Sequence, residues 1–171
     1  MKILGMSSRK VILPDFSLWK EKSIKVAGLT FAPYDFYIVE KGTGRLLNQF
    51  FSYPEAMECE EKVLAPNGWR LPTKEEWGKV AGGLGGDADD LCRHLGIECN
   101  GFISSNSMDK YHQSFYAYDF CRYSRQIGCY WSRDKLSFCS DAFYLKFYDR
   151  GVCVITNTIW DGFSIRAVSL K

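Results

Sequence analysis

The sequence predicts one α+β domain, and three observations carry that prediction. Two helix-start signatures, Ser52-Tyr53-Pro54-Glu55 and Thr73-Lys74-Glu75-Glu76, stand ahead of apolar residues at helical spacing. Behind them, short β-branched and aromatic segments separated by turn residues fill the C-terminal third. The 171 residues suffice for a single core, and no repeat, low-complexity tract or linker divides them.

Residues 1–20 read as an N-terminal arm and residues 21–171 as the domain. Ile24 to Val39 is rich in β-branched and aromatic residues broken by Pro33, which predicts two short strands and then a turn at Lys41-Gly42-Thr43-Gly44. Ser52 caps a helix that tolerates Pro54 in its first turn, where an N–H has no partner in any case. Ala56, Cys59, Val63 and Leu64 share one face of it, and Pro66-Asn67-Gly68 ends it. The second helix carries a stripe of Trp77, Val80, Ala81 and Leu84 and runs into glycines 82, 83, 85 and 86, read as a flexible connector. A third, brief helix over Asp87–Leu95 has acids in its first turn, His94 near its end and Gly96 just beyond. Strands are predicted at Gly128–Ser132, Ala142–Phe147, Val152–Ile155 and Phe163–Val168, with a turn at Asp149-Arg150-Gly151.

Composition removes several function classes. The net charge of +2 comes from 22 basic and 20 acidic residues that are scattered, so no patch tracks a phosphate backbone and no nucleic-acid partner is expected. No apolar run approaches ~18 residues, so no membrane insertion is expected. The first ten residues lack the apolar centre of a secretory signal, which predicts cytoplasmic synthesis, with release in a virion or display at a surface as the route outward. Seven cysteines cannot all pair within the chain, and free thiols in a reducing compartment are expected.

No catalytic residue, metal site or cofactor is predicted. The steps Cys92 to Cys99 and Cys121 to Cys129 are wider than zinc-site spacings, and only His94 and His112 could complete a shell. Neither histidine stands in a signature that would mark it as the base for a cysteine nucleophile. Asp87, Asp89 and Glu98 fit three positions of a calcium loop, but Cys92 stands where that loop needs glycine. The glycine cluster follows a helix and not a strand, which is the wrong context for cradling phosphate.

The run Gly68-Trp69-Arg70-Leu71-Pro72-Thr73-Lys74-Glu75-Glu76-Trp77 resembles the G-W-R-L-P-T-x-x-E-W hallmark of the Fibrobacter succinogenes major paralogous domain. Tyr130-Trp131-Ser132, Ala142-Phe143-Tyr144-Leu145-Lys146-Phe147 and Gly162-Phe163-Ser164-Ile165-Arg166 follow in the order and spacing of that family, so the resemblance spans about Gly44 to Val168. It implies a C-type-lectin-like fold with two main helices and a small mixed or antiparallel sheet. Formylglycine-generating enzymes and the variable proteins of diversity-generating retroelements share that fold. In such a fold Gly68, Trp69, Arg70, Leu71, Pro72, Trp77, Trp131, Gly162, Phe163 and Arg166 are expected to be scaffold, because large aromatics in this setting dominate packing. Cys139 and Cys153 are too far apart in sequence for the copper-binding pair of the oxidase relatives, and the calcium-binding loops of sugar-binding lectins are missing.

Between the scaffold strips, Arg133 to Asp161 contains no Glu, Gln or Met, whereas about three would be expected at the rate of the remaining chain. A randomised AAY codon cannot encode those residues. The stretch therefore looks like a variable region of a retroelement-diversified protein, within a binding region at about 130–168. Its expected contact residues are Arg133, Asp134, Leu136, Phe138, Tyr148, Arg150, Val152, Val154, Thr156, Asn157, Thr158, Trp160 and Asp161, while Leu145, Phe147 and Ile155 are expected in the core. The function this implies is non-catalytic binding of a protein or surface receptor. An undiversified lectin-like binding domain and a formylglycine-generating-enzyme-like oxidase stand as alternatives, and assembly as a homo-oligomer or on a larger particle is left open.

Overall fold

The computed structural model describes residues 11–96, 127–148 and 151–170. They form four α-helices and ten strands in three antiparallel sheets. The first sheet joins β1 (Val11–Ile12), β4 (Ile38–Glu40) and β5 (Leu46–Asn48). The second runs β2 (Ile24–Val26), β3 (Leu29–Phe31), β10 (Val168–Ser169) and β6 (Trp69–Arg70). The third and largest holds β7 (Ile127–Lys135), β8 (Asp141–Tyr148) and β9 (Gly151–Thr158) in that order. The helices are α1 (Phe16–Glu21), α2 (Tyr53–Cys59), α3 (Lys74–Gly83) and α4 (Ala88–Leu95).

The α+β class agrees with the sequence, but the C-type-lectin-like arrangement does not. Three antiparallel sheets and four helices stand where two main helices and one small sheet were expected. Most of the extra strands are only two or three residues long, too short for alternation to reveal them. The expected arm is likewise corrected from residue 11 onward. Val11 and Ile12 pair with Glu40 and Val39, and Trp19 is fully buried edge-to-face against Trp69.

The capping signatures act as chemistry dictates. In both boxes the Glu three residues on accepts the cap residue's N–H, Glu55 Oε2 from Ser52 and Glu76 Oε2 from Thr73; the Thr73 hydroxyl accepts Glu76 N–H in return, while the Ser52 hydroxyl donates to Glu55 Oε2. After Cys59 the helix widens into a π-turn over Glu60–Leu64 and tightens over Ala65–Asn67, and Gly68 closes it at φ 84°, a left-handed conformation that suits glycine. Glu76 also grips Arg70 through two bonds of 2.6 Å, tying α3 to the strand before it. Glycines 82 and 83 belong to or border α3 and do not form a loose connector; the turn that follows leads to Asp87, which caps α4 by accepting from Asp89 and Asp90 N–H.

The third sheet has a core on each face. Tyr130, Leu145 and Phe147 pack with Trp77, Val80, Leu91 and Leu95 of α3 and α4. Cys129, Trp131, Ala142 and Tyr144 pack on the other side with α2 and Phe163. The Trp131 ring lies 4.3 Å from Phe163 and its Nε1–H donates to Phe51 O at 2.6 Å, while Trp77 Nε1–H donates to Trp131 O. Gly128 is required here, because a methyl group at that position would overlap the buried Phe147 ring.

Phe163–Val168, expected as a strand, enters the core as an extended segment that changes partner almost residue by residue. Phe163 exchanges backbone bonds with Phe51, Ser164 with Trp131 and Cys129, and Ile165 O and Ala167 O accept from Phe36 and Ala32. Only at Val168 does it enter a ladder, between Phe31 and Arg70. Arg166, almost wholly buried, donates to Asp35 Oδ1 at 2.8 Å and to Ala32 O, and Tyr130 O–H donates to the other Asp35 oxygen.

Two outcomes follow from this packing. Gly128→Ala lowers stability by about 1–3 kcal/mol, read as a fall in the urea midpoint, because the ring beneath it has nowhere to move. The Arg70 guanidinium, aided by Thr73 N–H, holds the Glu76 carboxyl below the usual carboxylate range against the opposing effect of burial. That pairing therefore adds stability at neutral pH and loses it as pH falls through the lowered value. The stability gap between wild type and Glu76→Gln, followed by urea unfolding, is expected to be widest near pH 7 and to close in acid.

Candidate functional site

The end of the third sheet where β7 turns into β8 is built on a bulge. Trp131 pairs with Tyr144 but Lys135 pairs with Ala142, so β7 carries more residues than its partner strand across this interval. The surplus carries Ser132, Arg133 and Asp134 toward the helices. Arg133 N–H donates to Pro72 O at 2.9 Å, and the Asp134 carboxylate accepts Lys74 N–H, at the start of α3, at 2.6 Å.

Arg133 and Asp134, expected as contact residues, are thus framework ties. The Arg133 guanidinium lies 3.0 Å from Glu60 Oε1, and the other oxygen of that buried carboxylate accepts Leu71 N–H at 2.8 Å. Arg133 O accepts the Tyr53 hydroxyl at 2.6 Å, and burial, reinforced by the nearby Asp134 and Glu60 charges, pushes the Tyr53 phenol up to about 12. Nothing in the sequence separates Glu60 from Glu61 beside it. Only the π-turn and the inward aim of the bulge make Glu60 a buried anchor.

Past the bulge, Leu136 N–H donates to Asp141 O and closes a turn over residues 136–140. A second turn lies beside it: Ile159 N–H donates to Ser140 O, and Asp161 N–H donates back to Thr158 O. Each turn holds one aromatic ring out in solvent. Phe138 is 101% exposed and Trp160 57%. Two other expected contacts fasten the second turn, with Asn157 Nδ2 donating to Asp161 Oδ2 at 2.6 Å while Asn157 Oδ1 accepts Thr158 N–H. Asp161 is only 5% exposed and is corrected from contact to framework.

The structure therefore gathers Leu136, Phe138, Thr156, Thr158 and Trp160 at one end of the sheet. Phe143, opposite Thr156, lies beneath the Lys74 ammonium at 4.6 Å, a cation–π contact that brings an α3 side chain to the border of the patch. Lys74 does not stand out as a contact residue in the sequence, whereas Phe143 belongs to the mix of side chains in Arg133–Asp161 that is expected at the contact surface. Val152 and Val154 lean inward against the α3 and α4 core, which corrects their assignment to the surface. Conversely Ile155, expected in the core, is 37% exposed, on the face of the sheet opposite Val154. The Tyr148 side chain and Arg150 lie outside the described residues.

The expected scaffold residues lie inside. Trp69, Leu71, Trp77, Trp131, Phe163 and Arg166 are buried, as are Pro72 and Gly162, while Gly68 and Arg70 are half-buried. Cys139 sits in the exposed turn and Cys153 well down β9, at separate places on the sheet. His94 Nδ1 meets Asp90 O within its own helix; His112, Cys99, Cys121 and Glu98 lie outside the described residues. A cavity of about 420 Å³ opens elsewhere, lined by Tyr34, Asp35, Tyr37, Gln49, Ser164 and Arg166 among others. Its charged groups, Asp35 and Arg166, already hold each other.

Comparison of the chain with known protein families, curated proteins and solved structures finds no match. Among the described residues no helix is long and apolar enough to cross a membrane.

Arg133→Ala is expected to cost about 1–3 kcal/mol, since it leaves Glu60 buried without its cation while Leu71 N–H still shares the load. Combining it with Glu60→Gln returns part of that loss, measurable as a non-additive double-mutant cycle in urea.

Proposed function

We propose that this chain is a non-catalytic binding protein that recognises a protein or surface receptor through the paired turns at residues 136–140 and 158–161. The observation that carries the reading is that Phe138 and Trp160, both large aromatics, stand exposed on two turns that one backbone bond holds side by side. Exposed aromatics on a hydrogen-bonded rim are what recognition surfaces use as anchors, and they lose little conformational freedom on binding. Lys74, Lys135 and the half-buried Leu136 border them, giving an apolar centre with a polar margin.

Diversification by a retroelement belongs to the same proposal, supported by the missing Glu, Gln and Met across Arg133–Asp161. Exchange is confined to side chains that hold no framework contact, with Leu136, Phe138, Thr156 and Thr158 the leading positions. Membership of the Fibrobacter succinogenes major paralogous domain is likewise proposed on the sequence motifs alone.

Phe138→Ser and Trp160→Ser together are expected to shift stability by no more than about 1 kcal/mol, as exposed positions do. Retention of cell-envelope proteins on the immobilised chain is expected to be lost in the same double variant, and equal retention by variant and wild type would overturn the reading. The diversified form also requires a near-repeat of the 3′ coding end beside a reverse transcriptase gene, with adenines at the codons for Leu136, Phe138 and Thr158. DNA sequencing of the locus decides it.

A further inference from the structure

The outer edge of β9 lies opposite β8, and among the described residues no strand pairs with it along its length. Among the described residues only Gly151, its first residue, is bridged to another segment there, antiparallel to Asp87. Six residues, Val152–Asn157, are left as a continuous edge, because Thr158 N–H already donates to Asn157 Oδ1 and Thr158 O accepts Asp161 N–H.

Sheet edges of this length are normally blunted by charge, proline, a bulge or brevity, because an open row of N–H and C=O groups templates pairing with any extended chain. The run Val152-Cys153-Val154-Ile155-Thr156-Asn157-Thr158 carries no charge and no proline, and its register with β8 is regular over all eight pairs. Four of its residues besides Ile155, namely Val152, Val154, Thr156 and Thr158, are β-branched, the type that favours the pleated state. At its centre stands Ile155, an exposed apolar side chain in the middle of the open stretch.

From these features we propose that β9 pairs antiparallel with β9 of a second copy of this chain, joining two three-stranded sheets into one of six strands. A second copy fits the edge because the edge complements itself. A twofold axis normal to the sheet keeps like faces together and sets Ile155 opposite Ile155. Val154 then faces Thr156 and Cys153 faces Asn157. The bridge to Asp87 closes the edge at residue 151 and the bonds of Thr158 close it at the other end, so the open run brackets residue 155. No like charges meet across the pair, and the central contact is apolar on both sides. The two recognition ends proposed above would then point in opposite directions, although the pairing itself does not depend on that function.

The test uses the full chain in solution. Light scattering and sedimentation equilibrium are expected to show a dimer for the wild type. Ile155→Lys, which sets two ammonium groups face to face on the axis, is expected to weaken it at least about tenfold with an unchanged circular dichroism spectrum. In a Cys139→Ser background, Ile155→Cys is expected to give a covalent dimer on mild oxidation, whereas Ser137→Cys in the same background is not. A monomeric wild type overturns the proposal and leaves the edge to an extended segment of another protein. A dimer that survives Ile155→Lys and is not trapped by Ile155→Cys overturns it equally, placing the interface elsewhere.

Discussion

The fold depends on satisfying the backbone of one buried segment. Asp161 to Val168 is buried at every position, so each peptide group there needs a partner within the protein. No single sheet supplies them. Phe51, Cys129 and Trp131, Phe36 and Ala32 each take part of the segment, and the Arg166 side chain reaches Asp35, 131 positions earlier in the chain. The three sheets are small, and two of them are built from strands too short to stand alone. The second and third sheets share this segment as a common seam, and it also bonds to Phe36 and Phe51 on either side of the first sheet's strands, so the native state is assembled from contacts that are mostly distant in sequence, and loop closure precedes most of the reward.

The second half of the molecule shows how one stretch can serve both framework and display. Within Arg133–Asp161, the sheet interior is fixed by Tyr144, Leu145 and Phe147, and the bulge by Arg133 and Asp134. The exit from β9 is held by the Asn157 to Asp161 bond. What is left over is a small set of side chains on the two turns. Their freedom is a consequence of how thoroughly their neighbours are tied.

Local chemistry made the helices legible in advance. A capping box, a proline in the first turn and a glycine after the last are short-range requirements, and Ser52, Thr73, Pro54, Gly68 and Gly96 meet them wherever the chain goes next. The strands of the third sheet were legible as well, since eight or nine residues give a pattern room to declare itself. The small sheets were not, because Leu46–Asn48 or Trp69–Arg70 becomes a strand only through its neighbours. Parity was harder still. Val154 and Ile155 are equally apolar, and only the folded chain shows that Val154 packs against the α3 and α4 core while Ile155 stays exposed. Of the proposed recognition surface, Phe138 and Trp160 could be anticipated, but the roles of Glu60 and Asp161 required the folded chain.

The bulge in β7 isolates the turn beyond it. Ser132 to Asp134 are anchored to α3, Pro72 and Glu60, and Leu136 closes on Asp141, so the sheet register is set on both sides of residues 137–140 without help from those residues. A loop held in this way can be lengthened, shortened or replaced without transmitting a shift into the strands. The hairpin is in that sense a socket, and a foreign peptide inserted at Phe138 is expected to leave the register of the strands unchanged.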